Sequence, residues 1–140
     1  MIETRTQRLV AYDSAARMVA AALEHAAAHG WRISVAICEP GGGLLAFGRA
    51  DGCPEPIGGY AIDKAWTAAT HGKSTSAFGE RMVSDPRLTA GLANRPRACA
   101  WDGGLPIEVG GEVVGGIGVS GATGPEDIAC AAAAIAAAAA

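Results

Sequence analysis

The segment LPIEVGGEVVGGIGVSG, residues 105–121, predicts two antiparallel strands joined by a tight turn. Residues 105–109 and 113–120 are rich in Val and Ile, which favour strands. The glycine pair between them supplies the backbone freedom that a hairpin turn requires. This segment therefore favours an antiparallel sheet.

A second hairpin is predicted upstream, with apolar residues alternating along residues 31–38, a turn at EPGGG and a strand at residues 44–49. Residues 98–102 are a further strand candidate. Helices are predicted at residues 6–29, ending at Gly30, and at residues 57–71 and 74–83. Residues 84–97 are predicted as an irregular loop. A last helix starts near Pro125, with Thr123 as its N-cap.

Hairpins joined by helices predict an α/β protein of the α+β type. We expect an antiparallel sheet of four to five strands flanked by helices, and a single domain spanning residues 1–140. In the first helix, Leu9, Ala16, Val19, Leu23 and Ala27 recur near the helical period and are expected to pack inward.

Composition and charge exclude several classes of partner. The net charge of -3 and the lack of a Lys/Arg cluster argue against a nucleic-acid partner. The apolar run at residues 128–140 is shorter than the roughly 20 residues that span a bilayer, so no membrane partner is expected. The charged N-terminus has no signal-peptide core, so a cytoplasmic location is expected.

The glycines of the second hairpin also form a G-x-G-x-x-G pattern at Gly116, Gly118 and Gly121. A dinucleotide-binding fingerprint needs a strand, a glycine turn and an immediate helix, followed by an acidic residue about 20 positions later. Here the glycines lie within a strand and no such acid follows. They indicate instead that another backbone or a ligand approaches the strand closely.

Cysteine and histidine spacing predicts no metal site. The four cysteines include no C-x-x-C pair and are expected to be small buried hydrophobic residues, although Cys53 lies in the loop-like DGCPEP segment. His25 and His29 are spaced i,i+4 and could form a metal pair, but we attribute the spacing to a favourable interaction with the dipole at the end of the first helix.

The helix at residues 57–71 is the strongest candidate for a site. At 3.6 residues per turn, one sector carries Tyr60, Lys64, Thr67 and His71. Such a stripe is either a solvated face or a face turned to a ligand or an interface. Tyr, Thr and His are poor helix formers, which argues against a generic solvated face but leaves both interpretations open.

Three ordered segments resemble those of a known family: SVAICEPGGGLLAFGRADG (34–52), AIDKAWTAAT (61–70) and DGGLPIEVGGEVVGGIGVSGATGPEDIACA (102–131). They are similar to the GlcG/HbpS-like family, also found as the C-terminal domain of PduO-type proteins. The chain departs from the family pattern at Glu39, where Asp is usual, and at His71, where an aromatic or aliphatic residue is typical. The resemblance implies a profilin-like fold, a homo-oligomer and a small-molecule ligand.

Two functions from different classes remain open. Because several members of the family bind haem or other tetrapyrroles, haem is a possible cofactor, with His71, Cys53 and Tyr60 as candidate iron ligands. The ligand-binding set would comprise Arg49, Cys53, Tyr60, Lys64, Thr67, His71, Gly116 and Gly118.

The alternative is a small cofactor-independent catabolic enzyme, an isomerase, tautomerase, deaminase or hydrolase acting on an organic acid. Arg49 and Lys64 would bind the carboxylate and His71 would act as acid or base. Asp51 and Tyr60 would move protons. A third possibility is an assembly subunit whose polar helix is buried in an oligomer interface.

Overall fold

A four-stranded antiparallel sheet in the order β2-β1-β4-β3 organises the protein, and the computed structural model describes all residues 1–140. The strands are β1 (Ser34–Cys38), β2 (Leu44–Arg49), β3 (Gly104–Val109) and β4 (Glu112–Ser120). The helices are α1 (Tyr12–Ala28), α2 (Glu55–His71), α3 (Thr75–Val83), α4 (Pro86–Leu92) and α5 (Gly124–Ala139). The predicted fold class is confirmed.

The two faces of the sheet carry side chains of different size. Val35 and Ile37 of β1, with Ile117 and Val119 of β4, form the main core together with α1 and α5. Alternate residues point to the opposite face, where Ala36 and Cys38 meet the alanines of α2. One face therefore supports two helices and the other supports α2.

Glycines in β4 allow α2 to lie directly on the sheet. A Cβ added at Gly116 would lie 2.5 Å from the backbone nitrogen of Ala69, and one added at Gly118 would collide with the carbonyl oxygen of Ala61. Of the two alternatives that the sequence left open at these glycines, the close approach is by a helix backbone. Gly116 and Gly118 lie under α2 and are not available to a ligand.

Both predicted hairpins form. The turn between β3 and β4 places Gly110 and Gly111 at φ of 58° and 79°, which glycine adopts without strain. The turn between β1 and β2 uses Gly42 at φ of 96°. The last helix begins as predicted, because Thr123 and Glu126 form a reciprocal capping box and Pro125 occupies the first turn.

The N-terminal region differs from the prediction. Helix α1 starts at Tyr12 and not at residue 6, because the preceding segment is extended and Val10 N–H donates to Val114 O at 2.9 Å. The buried stripe of α1 is Ala15, Met18, Ala22 and Ala26, whereas Leu9 and Ala27 are exposed. The predicted stripe was therefore displaced by about one residue.

The segment between α3 and β3 also differs. The predicted irregular loop contains α4, which Asp85 caps by accepting from Arg87 N–H at 2.8 Å. Residues 98–102 form no strand. They are held by the neighbouring helices instead, since Cys99 N–H donates to Thr67 Oγ1 and Ala100 O packs against Gly79 of α3. No helix in the protein has the length and apolarity needed to cross a membrane.

Candidate functional site

The polar stripe of α2 is only partly exposed. Lys64 is 2% exposed and Thr67 is fully buried, whereas Tyr60 is 39% exposed and His71 at the helix end is exposed. The solvated-face interpretation therefore fails at the centre of the stripe. Residues 97–99 and the start of α5 cover these two side chains.

Lys64 forms a buried ion pair with Asp127 of α5, with Nζ and Oδ2 3.2 Å apart. Its ammonium group also donates to Val119 O at 2.8 Å and Ser120 Oγ at 3.2 Å. Three acceptors use all three of its N–H groups. Lys64 therefore joins α2 to α5 and has no N–H free to bind the carboxylate of a substrate, contrary to expectation.

Asp127 is adapted to this buried position. Burial raises the pKa of its carboxyl group, and the opposing influences are Lys64 and the N–H of Ala122, which donates to Oδ1 at 3.0 Å. The pair borders an open polar groove whose other lining residues include Tyr60, Trp101 and Asp102. Asp102 accepts from Ser76 Oγ at 2.7 Å, which fixes its side chain at the edge of the groove.

Thr67 attaches the 97–99 segment to α2. Its hydroxyl group lies 2.8 Å from Asp63 O and 3.0 Å from Arg97 O, and it accepts from Cys99 N–H at 3.0 Å. Arg97 has φ of 73°, which is uncommon for a residue other than glycine. Its guanidinium group lies 5.1 Å from the Trp66 ring centroid and donates to Gly42 O. The segment is thus held on both sides.

This arrangement leaves an apolar cavity, which we call the aromatic cleft, between α2, α3, α4 and residues 98–101. Its volume is about 390 Å³. All of its lining residues except Asp63 and Thr89 are hydrophobic: Tyr60, Phe78, Met82, Val83, Leu92, Ala93, Ala98, Cys99, Ala100 and Trp101. The Tyr60 and Trp101 rings meet edge to face with centroids 5.2 Å apart. Such a cavity suits a flat apolar ligand.

Two titratable groups in the aromatic cleft are biased towards their neutral forms. Burial raises the pKa of the Asp63 carboxyl group, and Arg97 opposes this shift. Burial also raises the pKa of the Cys99 thiol. The wall of the cleft therefore favours the uncharged part of a ligand.

The remaining predicted residues lie at opposite ends of α2. At its N-terminal end, Arg49 Nη1 donates to Cys53 O at 2.9 Å, and Cys53 is buried with Sγ 3.5 Å from Ser34 Oγ. Asp51 is exposed and its carbonyl accepts from Arg32. His71 is the last residue of α2, about 24 Å along the helix axis from the first residue, Glu55, at a rise of about 1.5 Å per residue.

At the C-terminal end of α2, His71 Nδ1 donates to Thr67 O at 3.1 Å and its ring packs against Phe78 with centroids 4.8 Å apart. Arg49, Lys64 and His71 therefore do not face one substrate. Cys53 and His71 do not line the aromatic cleft either, whereas Tyr60 does. No three side chains of the His, Cys, Asp or Glu type cluster in a way that could hold a metal ion.

Sequence reasoning missed several residues of the cleft. Phe78, Met82 and Trp101 come from α3 and from a loop, so no periodic pattern links them to Tyr60. Asp127, at the start of the last helix, was not among the predicted site residues. A lysine in the middle of an alanine-rich helix was the available signal, because a buried ammonium group needs a counter-charge.

Comparison with known proteins places the chain in a family. The model of the family described as "Haem degrading protein HbpS-like" matches residues 10–136. GlcG of Escherichia coli K12 is 36% identical over 117 residues, covering 83% of this chain and 84% of GlcG. The chain belongs to the HbpS-like family.

Solved structures agree with this assignment. A double mutant of Streptomyces reticuli HbpS superimposes with a TM-score of 0.86 at 30% identity, covering 95% of this chain and 89% of HbpS. Klebsiella pneumoniae protein ORFY gives a TM-score of 0.92 at 25% identity, covering 100% of this chain and 97% of ORFY.

Proposed function

We propose that the protein binds haem, or a related tetrapyrrole, with the flat apolar part of the ligand in the aromatic cleft. The observation that carries this proposal is the cleft itself, an almost wholly hydrophobic cavity of about 390 Å³ with three aromatic walls. Membership of a family described as haem-degrading supports it. Aromatic and apolar side chains gain from covering a large planar ring.

The segment that carries α3 and α4, on one side of the cleft, has an excess of basic side chains, which suits an anionic ligand. Residues 73–97, which carry α3 and α4, contain five basic side chains and two acidic ones, although the chain as a whole has a net charge of -3. Asp63 lines the cleft and supplies no positive charge for a carboxylate there. The propionates of haem would therefore point outward, towards the basic α3–α4 surface.

Tyr60 is our candidate for the iron ligand. Of the three ligands predicted from sequence it alone lines the cleft, and a phenolate is an established haem ligand. The thioether of Met82 is the second donor in the cleft. Cys99 is a poorer one, since burial raises the pKa of its thiol and ligation requires the thiolate.

Haem titration of the purified chain tests the proposal. We expect a shifted Soret band that saturates at one haem per chain. Tyr60→Phe keeps the ring but removes the donor oxygen, so the band should move again or the affinity fall by about tenfold or more. Tyr12→Phe, on the outer side of α1, is the matched control and should behave like the wild type.

The possible outcomes test haem binding and its location in the cleft separately. Absence of a Soret shift at stoichiometric protein would contradict haem binding. A bound spectrum that is identical in Tyr60→Phe, in Met82→Leu and in Ala93→Trp would contradict the cleft. Ala93 is exposed at the end of α4, so a tryptophan there fills the mouth of the cleft without disturbing the core.

The resemblance also leads us to propose that the chain is a cytoplasmic homo-oligomer. Two large apolar side chains on β2, at the open edge of the sheet, are consistent with self-association: Leu44 and Phe47 are both exposed. Light scattering on the purified chain gives its mass in solution directly. A value of 14.0 kDa, the mass of one chain, would contradict self-association.

A further inference from the structure

Two histidines lie close together at the end of α1, on the face of the sheet opposite α2. His25 and His29 are one turn apart, and their ring centroids are 4.7 Å apart with planes inclined by 38°. The sequence led us to attribute this spacing to the helix dipole and to predict no metal. The arrangement of the rings points to a different use.

The hydrogen bond of His29 fixes its tautomer. Nδ1 lies 2.8 Å from His25 O. A carbonyl oxygen can only accept, so Nδ1 carries the proton and the neutral ring presents an unprotonated Nε2. An Nδ1–H that donates to a backbone carbonyl is the usual outer contact of a metal-binding histidine.

Trp31 holds the His29 ring in place. Gly30 turns the chain with φ of 76°, and Trp31 N–H donates to Ala26 O at 2.9 Å. The indole then stacks on the His29 ring, with centroids 4.5 Å apart and planes inclined by 18°. Because this packing already restricts the exposed His29 side chain, binding an ion costs less conformational entropy.

We propose that His25 and His29 bind one divalent transition-metal ion, with Cu²⁺ bound most tightly. Two imidazoles that share an ion have ring centroids roughly 4.5 to 5 Å apart, since each metal–nitrogen bond is about 2.1 Å long. The observed separation of 4.7 Å matches. Imidazole suits Cu, Ni and Zn, and Cu²⁺ is the most strongly bound of the divalent series.

The proposed site is open. No third His, Cys, Asp or Glu side chain joins the pair, so water or a donor from outside the chain completes the coordination. It is also separate from the aromatic cleft, because α1 packs with α5 on the other face of the sheet. The test of this metal site is therefore independent of the test of haem binding.

Trp31 provides an internal probe for the experiment. Cu²⁺ is titrated into the untagged full-length chain while tryptophan fluorescence and the electron paramagnetic resonance spectrum are recorded. We expect quenching that saturates at one Cu²⁺ per chain, with a spectrum that shows nitrogen ligands. His25→Ala and His29→Ala should each weaken binding by about tenfold or more, because each removes one arm of the chelate.

Two further variants make the test specific. Trp31→Phe should keep the resonance spectrum but lose most of the quenching. His71→Ala is the matched control, because His71 Nδ1 also donates to the carbonyl four residues earlier but no second histidine faces it, so binding should be unchanged. Binding that survives intact in His25→Ala or in His29→Ala, or no saturation at one equivalent, would overturn the proposal.

Discussion

Lys64 shows how much a single buried charge determines in this protein. Its ammonium group is accommodated only because Asp127, Ser120 and Val119 accept all three of its hydrogen atoms. One ion pair thereby joins α2, which lines the aromatic cleft, to the C-terminal helix α5. The position of α5 relative to α2 thus depends on two side chains.

We expect Lys64→Met to destabilise the fold by about 3–5 kcal/mol, because it leaves the buried Asp127 carboxylate without its counter-charge. The double variant Lys64→Met/Asp127→Leu should lose less than this single variant, since no charge is then buried. Denaturant unfolding of both variants measures the difference. A double variant that is less stable than Lys64→Met would contradict this interpretation of the pair.

The pH dependence of the same variant follows from the raised pKa of Asp127. A raised pKa in the folded state means that the protonated form is favoured there, so the contribution to stability is present at low pH and is lost as the pH rises. Without Lys64 the pKa should rise further. The deficit of Lys64→Met should therefore be larger at neutral pH than at pH about 4.

At the scale of the elements, the N-terminal segment is attached to the β3–β4 hairpin by one exposed ion pair. Arg8 Nε lies 2.8 Å from Glu112 Oε2, and Arg8 also donates to Val109 O. This contact lowers the pKa of Glu112. The stabilisation is present above the ordinary pKa of Glu and is lost as the pH falls through the lowered value.

Hydrogen exchange at the Val10 amide reports on this attachment, since Val10 N–H donates to Val114 O. In Glu112→Gln we expect Val10 to exchange about two- to fivefold faster than in the wild type at neutral pH, and the difference should shrink at low pH as Glu112 of the wild type becomes protonated. Glu108→Gln, on the same hairpin, is the control and should have no effect. An equal acceleration at both pH values would show that the charge is not responsible.

Local signals predicted some elements better than others. The hairpins and the α5 cap depend on glycine pairs, alternation and a Thr-x-x-Glu box, all of which act within a few residues. The start of α1 was wrong because Val10 and Arg8 are held by β-strand residues more than 100 positions away in the chain. Helix α4 was missed although Asp85-Pro86 is a recognisable helix start.

For the whole molecule, sequence reasoning identified the family, and it singled out the helix that lines the candidate cleft, but not the other residues of that cleft. Tyr60 was predicted and lines the cleft, whereas Met82 and Trp101 reach it only through tertiary packing. The pairing of Lys64 with Asp127 joins two motifs 63 residues apart. No periodicity within either motif encodes that contact.

The two layers of the molecule share one sheet, so we predict that they unfold as a single unit. Cys38 lies on the α2 face and Cys130 lies in α5 on the other face, and both are fully buried. Burial raises the pKa of each thiol to about 11, so neither forms an appreciable thiolate at pH about 8 until its surroundings open.

Thiol labelling followed by peptide mass spectrometry therefore measures the opening of each layer. If residues 1–140 form one cooperative domain, Cys38 and Cys130 should be labelled at the same rate, with the same dependence on denaturant. Cys99, which is 9% exposed beside the aromatic cleft, should be labelled faster through local opening. Labelling of Cys130 at a rate clearly different from that of Cys38 would show that the helical layers open separately across a shared sheet.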